Sequence, residues 1–209
     1  MTSDKTIGRL CLYRRLLKEL AAKGETHVYS HALAALARCS PAQVRRDVMT
    51  VGYSGTPAKG YEILQLMESI GEFLDAKEGE RVVVVGVGNL GRALLAHFTA
   101  RSSGFNLVAG FDTDPERVNR VICGCRCYPL EQLETVIGRE RVEVGVITVP
   151  PEAAQETARR LCSAGVRALV NFAPVRVWVP GGVYVENVDL VTTLERAAFF
   201  AKEAATARA

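Results

Sequence analysis

Three glycines with a carboxylate downstream are the residues whose spacing could do chemistry. Gly86-Val87-Gly88-Asn89-Leu90-Gly91 follows the apolar run Val82 to Val85 and opens a stretch of helical periodicity. In that setting Gly86 permits a tight turn, Gly88 lets a pyrophosphate approach the backbone, and Gly91 lets helix pack on strand. The helix N-terminus then faces the anion. Asp112 comes 21 residues after Gly91, at the end of the next apolar run. A carboxylate there can accept both ribose hydroxyls of an adenosine, which favours NADH and NAD⁺ over their phosphorylated counterparts. Asp114 competes for this role, but Pro115 after it fits a helix cap better. Thr148-Val149-Pro150 ends a later apolar run, on the strand edge where open α/β sheets bind ligands.

A dehydrogenase also needs a proton donor or acceptor beside the nicotinamide. No tyrosine here is followed by lysine four residues on, and the histidines are His27, His31 and His97. Residues 81–209 barely complete one doubly wound sheet, with no room for a substrate domain. Cofactor binding without catalysis is the reading that follows. Cys123, Cys125 and Cys127 match no common zinc spacing and read as buried or half-buried thiols, with oxidation sensing a secondary option.

The elements that must position these groups alternate. Runs Arg81–Val85, Phe105–Phe111, Val142–Val149 and Ala168–Val170 read as strands. Leu90–Ala100, Pro115–Val121 and Glu152–Ser163 read as helices, and Leu190–Ala205 as a final one. That order predicts an α/β fold with a Rossmann-like, doubly wound parallel sheet.

The N-terminal third differs. Ile7–Ala22 carries apolar residues at helical spacing, and Ser30 can cap a second helix through Leu36. Ser40-Pro41 starts a third that ends near Gly52. Tyr53–Tyr61 is rich in turn residues and suits a short hairpin, followed by a connecting helix from Glu62 to about Asp75. The pattern predicts a winged helix-turn-helix with its third helix in a major groove. There Gln43, Arg45 and Arg46 could reach base edges or phosphates, and Ser40 and Lys59 would touch phosphate. Residues 1–60 hold ten Lys/Arg against four Asp/Glu, and residues 61–209 hold sixteen against nineteen, a split of +6 and −3. A basic module that meets a polyanion explains the asymmetry.

Across 209 residues, 48% are hydrophobic and 23% charged, which excludes a largely disordered chain. No apolar run approaches the roughly 18 residues of a membrane span, and the N-terminus lacks an apolar signal core. These features predict a cytoplasmic protein with reduced thiols and no membrane partner. Three regions are expected: a winged-helix DNA-binding domain at 1–78, an NAD(H)-binding domain at 79–188 and a C-terminal dimerisation helix at 189–209.

The order of a basic winged helix, GVGNLG, FDTDP, ITVP, NFAPV (Asn171 to Val175) and ENVDL (Glu186 to Leu190) resembles the Rex redox-sensing transcriptional repressors over nearly the whole chain. The last two motifs are the specific ones. The resemblance implies a homodimer that binds a twofold operator when NADH is scarce and leaves it when NADH binds, with the C-terminal helix exchanged between subunits. It assigns pyrophosphate to the glycine loop, the adenosine ribose to Asp112, the nicotinamide half to Thr148, Val149, Pro150, Asn171 and Phe172, and a switch role to Asp189. His97 stands where many members carry a tyrosine that pairs with that aspartate. Val48-Met-Thr-Val51 replaces the aromatic run that commonly follows Arg-Arg-Asp. Two rival readings keep the cofactor and drop the DNA: a small NAD-dependent reductase, and a nucleotide-binding interaction module akin to CoA-binding Rossmann domains.

Overall fold

A computed structural model of the chain describes residues 2–75, 79–100 and 105–206. They fall into two compact units, 1–77 and 78–209.

In the first unit, α1 (Asp4–Ala22) is capped by Ser3, whose hydroxyl accepts the Thr6 N–H, so the helix starts a turn before the apolar stripe does. After β1 (His27–Val28) comes α2 (Ser30–Ala37), capped by Tyr29 without a side-chain bond. Ser30 is thus the first helical residue and not the cap expected. Arg38 adopts a left-handed conformation (φ 52°) that ends α2 and turns the chain into α3 (Pro41–Thr50). Ser40 caps α3 by accepting the Gln43 N–H at 3.1 Å, as Ser-Pro predicts. β2 (Tyr61–Glu62) leads into α4 (Ile63–Leu74). The wing differs from the expected hairpin. Residues 53–61 contain only a bridge between Thr56 and Gly60, and β2 pairs antiparallel with β1, which lies before α2. Leu10, Tyr13, Leu17, Leu33, Val44, Val48, Ile63, Leu66 and Ile70 form the buried core.

The second unit is a sheet of order β5-β6-β4-β3-β7-β8-β9, parallel except for β5. Its parallel strands are β3 (Glu80–Val85), β4 (Phe105–Asp112), β6 (Cys125–Pro129), β7 (Val144–Ile147), β8 (Ala168–Asn171) and β9 (Tyr184–Asn187), with β5 (Val121–Ile122) at the edge. The helices are α5 (Asn89–Ala100), α6 (Leu133–Glu140), α7 (Pro151–Ser163) and α8 (Leu190–Thr206). Alternation along β3 divides the core. Val83 and Val85 join Phe111, Ile137, Ala158 and Leu161 on the α6/α7 face, while Val82 and Val84 join Leu95, Cys127 and Val146 on the α5 face.

Residues 115–121 do not form the expected helix. The Asp114 carbonyl accepts the N–H groups of Arg117 and Val118 for a single turn, after which Asn119 takes φ 62° and the chain enters the β5–β6 hairpin through left-handed Cys123 and Gly124. The short elements β5, β6, α6 and β9 carry too few residues for periodicity to reveal.

Candidate functional site

The parallel strands end together on one edge, and a cavity of about 470 Å³ opens there. The sequence-predicted residues Gly86, Gly88, Asp112, Thr148, Val149 and Pro150 line it, joined by Asp114, Arg117 and Pro174.

The glycines divide their work as their spacing suggests. Gly86 has φ +92°, and a Cβ there would sit 2.7 Å from the Thr148 carbonyl oxygen. A Cβ on Gly91 would lie 2.0 Å from the Gly86 carbonyl oxygen. On Gly88 it would meet nothing within 4 Å, on a wall of the cavity. The residue needed for ligand approach is therefore the one whose missing side chain faces open space. Asn89 and Leu90 form the first turn of α5, whose N–H groups lack intrahelical acceptors, as in any helix. A pyrophosphate fits this cradle.

Polar bonds hold the loop. The Thr148 hydroxyl donates at 2.6 Å to the Gly86 carbonyl, which ties β7 to the turn after β3. Buried Val87 donates its N–H to Asp112 Oδ2 at 2.7 Å. Asp112 Oδ1 accepts the N–H groups of Thr113 and Asp114 at 2.8 and 2.9 Å, and Arg117 approaches Oδ2 at 3.2 Å. Burial pushes the Asp112 carboxyl up, but these N–H groups and the guanidinium outweigh it and hold it below the usual carboxylate range.

Other predicted residues stand behind or away from the cavity. Asn171 is buried; its amide donates to the Val175 carbonyl at 2.7 Å and to Asn187 Oδ1 at 3.0 Å, fixing the turn that carries Pro174 to the cavity wall. Phe172 packs on the α5 side of the sheet. Asp189 caps α8, accepting the Thr192 N–H and hydroxyl at 3.0 and 2.7 Å. The exposed His97 ring lies edge-on to Phe98. Cys123 is exposed, whereas burial pushes the thiols of Cys125 and Cys127 up to about 11. Among the described residues no His/Cys/Asp/Glu group is arranged to hold a metal.

In the first unit Arg45 and Arg46 are exposed on α3, and Lys59 is exposed in the wing turn. Gln43 is committed to neighbours: its amide donates to Asp47 at 2.9 Å and accepts from Arg46 at 3.1 Å. Asp47 is the residue that sequence reading missed. It is 2% exposed and receives Arg9 at 2.6 and 2.8 Å and the Tyr13 hydroxyl at 2.9 Å, so α1 is bolted to α3. Burial pushes its carboxyl up, but these partners win and hold it low. A groove of about 460 Å³ runs between α3 and the wing, lined by Tyr29, Arg45, Met49, Tyr53 and Pro57 among others. Met49, 72% exposed, was not singled out from the sequence.

Comparison with known proteins places both units. A family model described as "CoA binding domain" matches residues 77–175, and one described as "Putative DNA-binding protein N-terminus" matches residues 2–48. The redox-sensing transcriptional repressor Rex of Rhodopirellula baltica is 39% identical over 94% of this chain and 83% of that protein. Its counterpart in Desulforamulus reducens is 40% identical over 92% and 91%. Crystal structures of RSP, a Rex-family repressor, superpose on the whole chain. One of them gives a TM-score of 0.90 at 30% identity over 98% of its chain, and the complex of RSP with NAD⁺ and operator DNA gives 0.89 at 30% over 96%. Its complex with NADH gives 0.88 at 29% over 98%. With both units matched along nearly their full length, the chain belongs to the Rex family of redox-sensing transcriptional repressors.

Proposed function

We propose that this protein is a homodimeric repressor in the cytoplasm that holds a twofold operator and releases it when NADH fills the cavity at the end of the parallel sheet. The observation that carries the reading is that one chain matches, end to end, a repressor solved both with NADH and with NAD⁺ and operator DNA. The chain's own features agree: exposed Arg45 and Arg46 on the third helix, and a glycine cradle with open space at Gly88.

NADH can shift the DNA-binding equilibrium only by its differential affinity for the two forms, which for typical allosteric coupling is about 1–3 kcal/mol. The cationic ring of NAD⁺ resists transfer into an apolar pocket more than neutral dihydronicotinamide does. Val149, Pro150, Pro151 and Pro174 supply such a wall. Among the described residues none that lines the cavity is His, Lys or Tyr, and the proposal includes no turnover.

Dimerisation is assigned to α8. Its side chains from Leu190 to Glu203 are exposed, among them Leu190, Val191, Leu194, Phe199 and Phe200. So many exposed apolar side chains around one helix call for a partner, and a second copy supplies one. Asp189 and His97 are the proposed switch residues, and residues 1–78, 79–188 and 189–209 the DNA-binding, cofactor and dimerisation regions.

The test separates the two units. Arg46→Ala should weaken binding to operator-bearing duplex DNA and reduce its salt dependence, with NADH affinity unchanged. A parallel fall in both would count against separate DNA and cofactor sites.

A further inference from the structure

The solvent-facing side of α3 carries Arg45, Arg46 and Met49. Three and four residues apart, these side chains are neighbours on one helix face, and Arg45 and Met49 both line the groove that runs to the wing. Met49 is 72% exposed, so it serves no core, and the two residues that precede it on this face are cations. The polar side chains of α3 are largely spent within the first unit. Gln43 donates its amide to Asp47 at 2.9 Å and accepts from Arg46 at 3.1 Å, and the Thr50 hydroxyl donates to the Arg46 carbonyl at 3.0 Å. Arg45 gives one N–H to the Ser30 hydroxyl at 3.3 Å. A guanidinium has five N–H donors, so both arginines keep some for guanine or phosphate.

We propose that Met49 is a base-reading residue: in each operator half-site its side chain packs on the 5-methyl group of a thymine in the major groove. The proposal rests on the reading of α3 as the helix that enters DNA. A helix in that groove recognises an A·T pair in two main ways, by an amide on adenine N6 and N7 or by an apolar contact with the thymine methyl. The Gln43 amide is engaged with Asp47, which leaves the second way, and Met49 supplies an unbranched, polarizable side chain for it. Across the groove the Tyr29 hydroxyl donates to the Ala58 carbonyl at 2.7 Å, so the polar tip of Tyr29 is taken up by the wing. Its ring, with Tyr53 and Pro57, gives the groove an apolar wall beside Met49. A methyl group forms no hydrogen bond, and what it contributes is its removal from water. That is worth about three- to fourfold in affinity for each methyl, and about tenfold or more for a twofold site.

The test uses full-length protein and a duplex that the wild type selects from a random pool. Each thymine is replaced in turn by deoxyuridine, at equivalent positions of both half-sites, which removes the methyl and leaves every hydrogen-bonding group in place. Fluorescence anisotropy gives the dissociation constants of wild type, Met49→Ala and Met49→Leu. Met49 is exposed on a helix, where alanine and leucine are good helix formers, so the fold persists; a thermal melt checks this. At one thymine position deoxyuridine should weaken wild-type binding about tenfold. Met49→Ala should bind the thymine duplex about tenfold more weakly than wild type and show no further loss with deoxyuridine at that position. Met49→Leu, which keeps an apolar contact, should retain the discrimination. A wild type indifferent to every thymine methyl would overturn this proposal alone. So would a deoxyuridine penalty of equal size in Met49→Ala, or DNA affinity unchanged in that variant, which would give the exposed methionine to some other partner. A wild type that binds no duplex at any salt would overturn both this proposal and the DNA-binding reading beneath it.

Discussion

Val87 and Asp112 are joined by a buried 2.7 Å hydrogen bond from backbone N–H to carboxylate, which ties the middle of the glycine loop to the end of the neighbouring strand. The acid therefore shapes the loop as well as lining the cavity. Asp112→Ala leaves the Val87 N–H, fully buried, without its acceptor, and should cost about 1–3 kcal/mol. Dinucleotide affinity should fall with it. Urea unfolding and NADH titration on the same variant check the pairing; loss of affinity at unchanged stability would mean the carboxylate acts on ligand alone.

The glycines offer a sharper contrast. An alanine Cβ at Gly88 enters open space, so Gly88→Ala should change stability by less than about 0.5 kcal/mol yet impair dinucleotide binding. At Gly91 the same Cβ would be driven to 2.0 Å from a backbone oxygen, so Gly91→Ala should destabilise the unit by about 1–3 kcal/mol as well. Thermal melts read alongside NADH titration distinguish the two.

The bond between α1 and α3 predicts an acid limit for the first unit. Asp47 has a folded-state pKa below its unfolded value, so its contribution is present above the ordinary carboxylate range and lost as pH falls through the lowered value. Arg9→Ala leaves that buried charge without its main partner and should cost about 3 kcal/mol at neutral pH. The difference between variant and wild type should shrink below about pH 4, where Asp47 protonates in the unfolded chain. Unfolding curves at pH 7 and pH 3 give the comparison.

The exposed apolar side chains of α8 predict oligomeric state. Replacing Leu194, Phe199 and Phe200 with Asp should convert a dimer to monomers while each chain still binds NADH, since none of them lines the cavity. Sedimentation velocity decides it, and a variant that remains dimeric would move the interface elsewhere.

How much was legible in the sequence follows the length scale of each signal. The glycine loop, its flanking strand and helix, and the Ser40-Pro41 start of α3 are local patterns, and each stands where it was expected. The wing was misread because β2 finds its partner in β1, more than thirty residues earlier, a pairing no local periodicity records. Asp114-Pro115 looked like a helix start, yet left-handed Asn119 and the β5–β6 hairpin claim the segment after one turn. Asp47 is an acid on an otherwise basic helix, and its burial depends on Arg9 and Tyr13 from a different helix. Spacing pointed to Gly86, Gly88, Asp112, Thr148, Val149 and Pro150, which line the cavity, and not to Arg117 or Pro174, which line it too. It could not say that Asp112 spends its acceptors on the backbone, because that is settled by three N–H groups and one arginine meeting in space.

The most direct test of the account is fluorescence anisotropy of labelled duplex DNA, selected for binding from a random pool, held by the full-length protein and titrated with NADH and separately with NAD⁺. NADH should release the DNA at concentrations where NAD⁺ does not, and binding before addition should weaken steeply with salt. DNA held equally well at saturating NADH, or no DNA affinity at any salt in a protein that binds NADH, would contradict it.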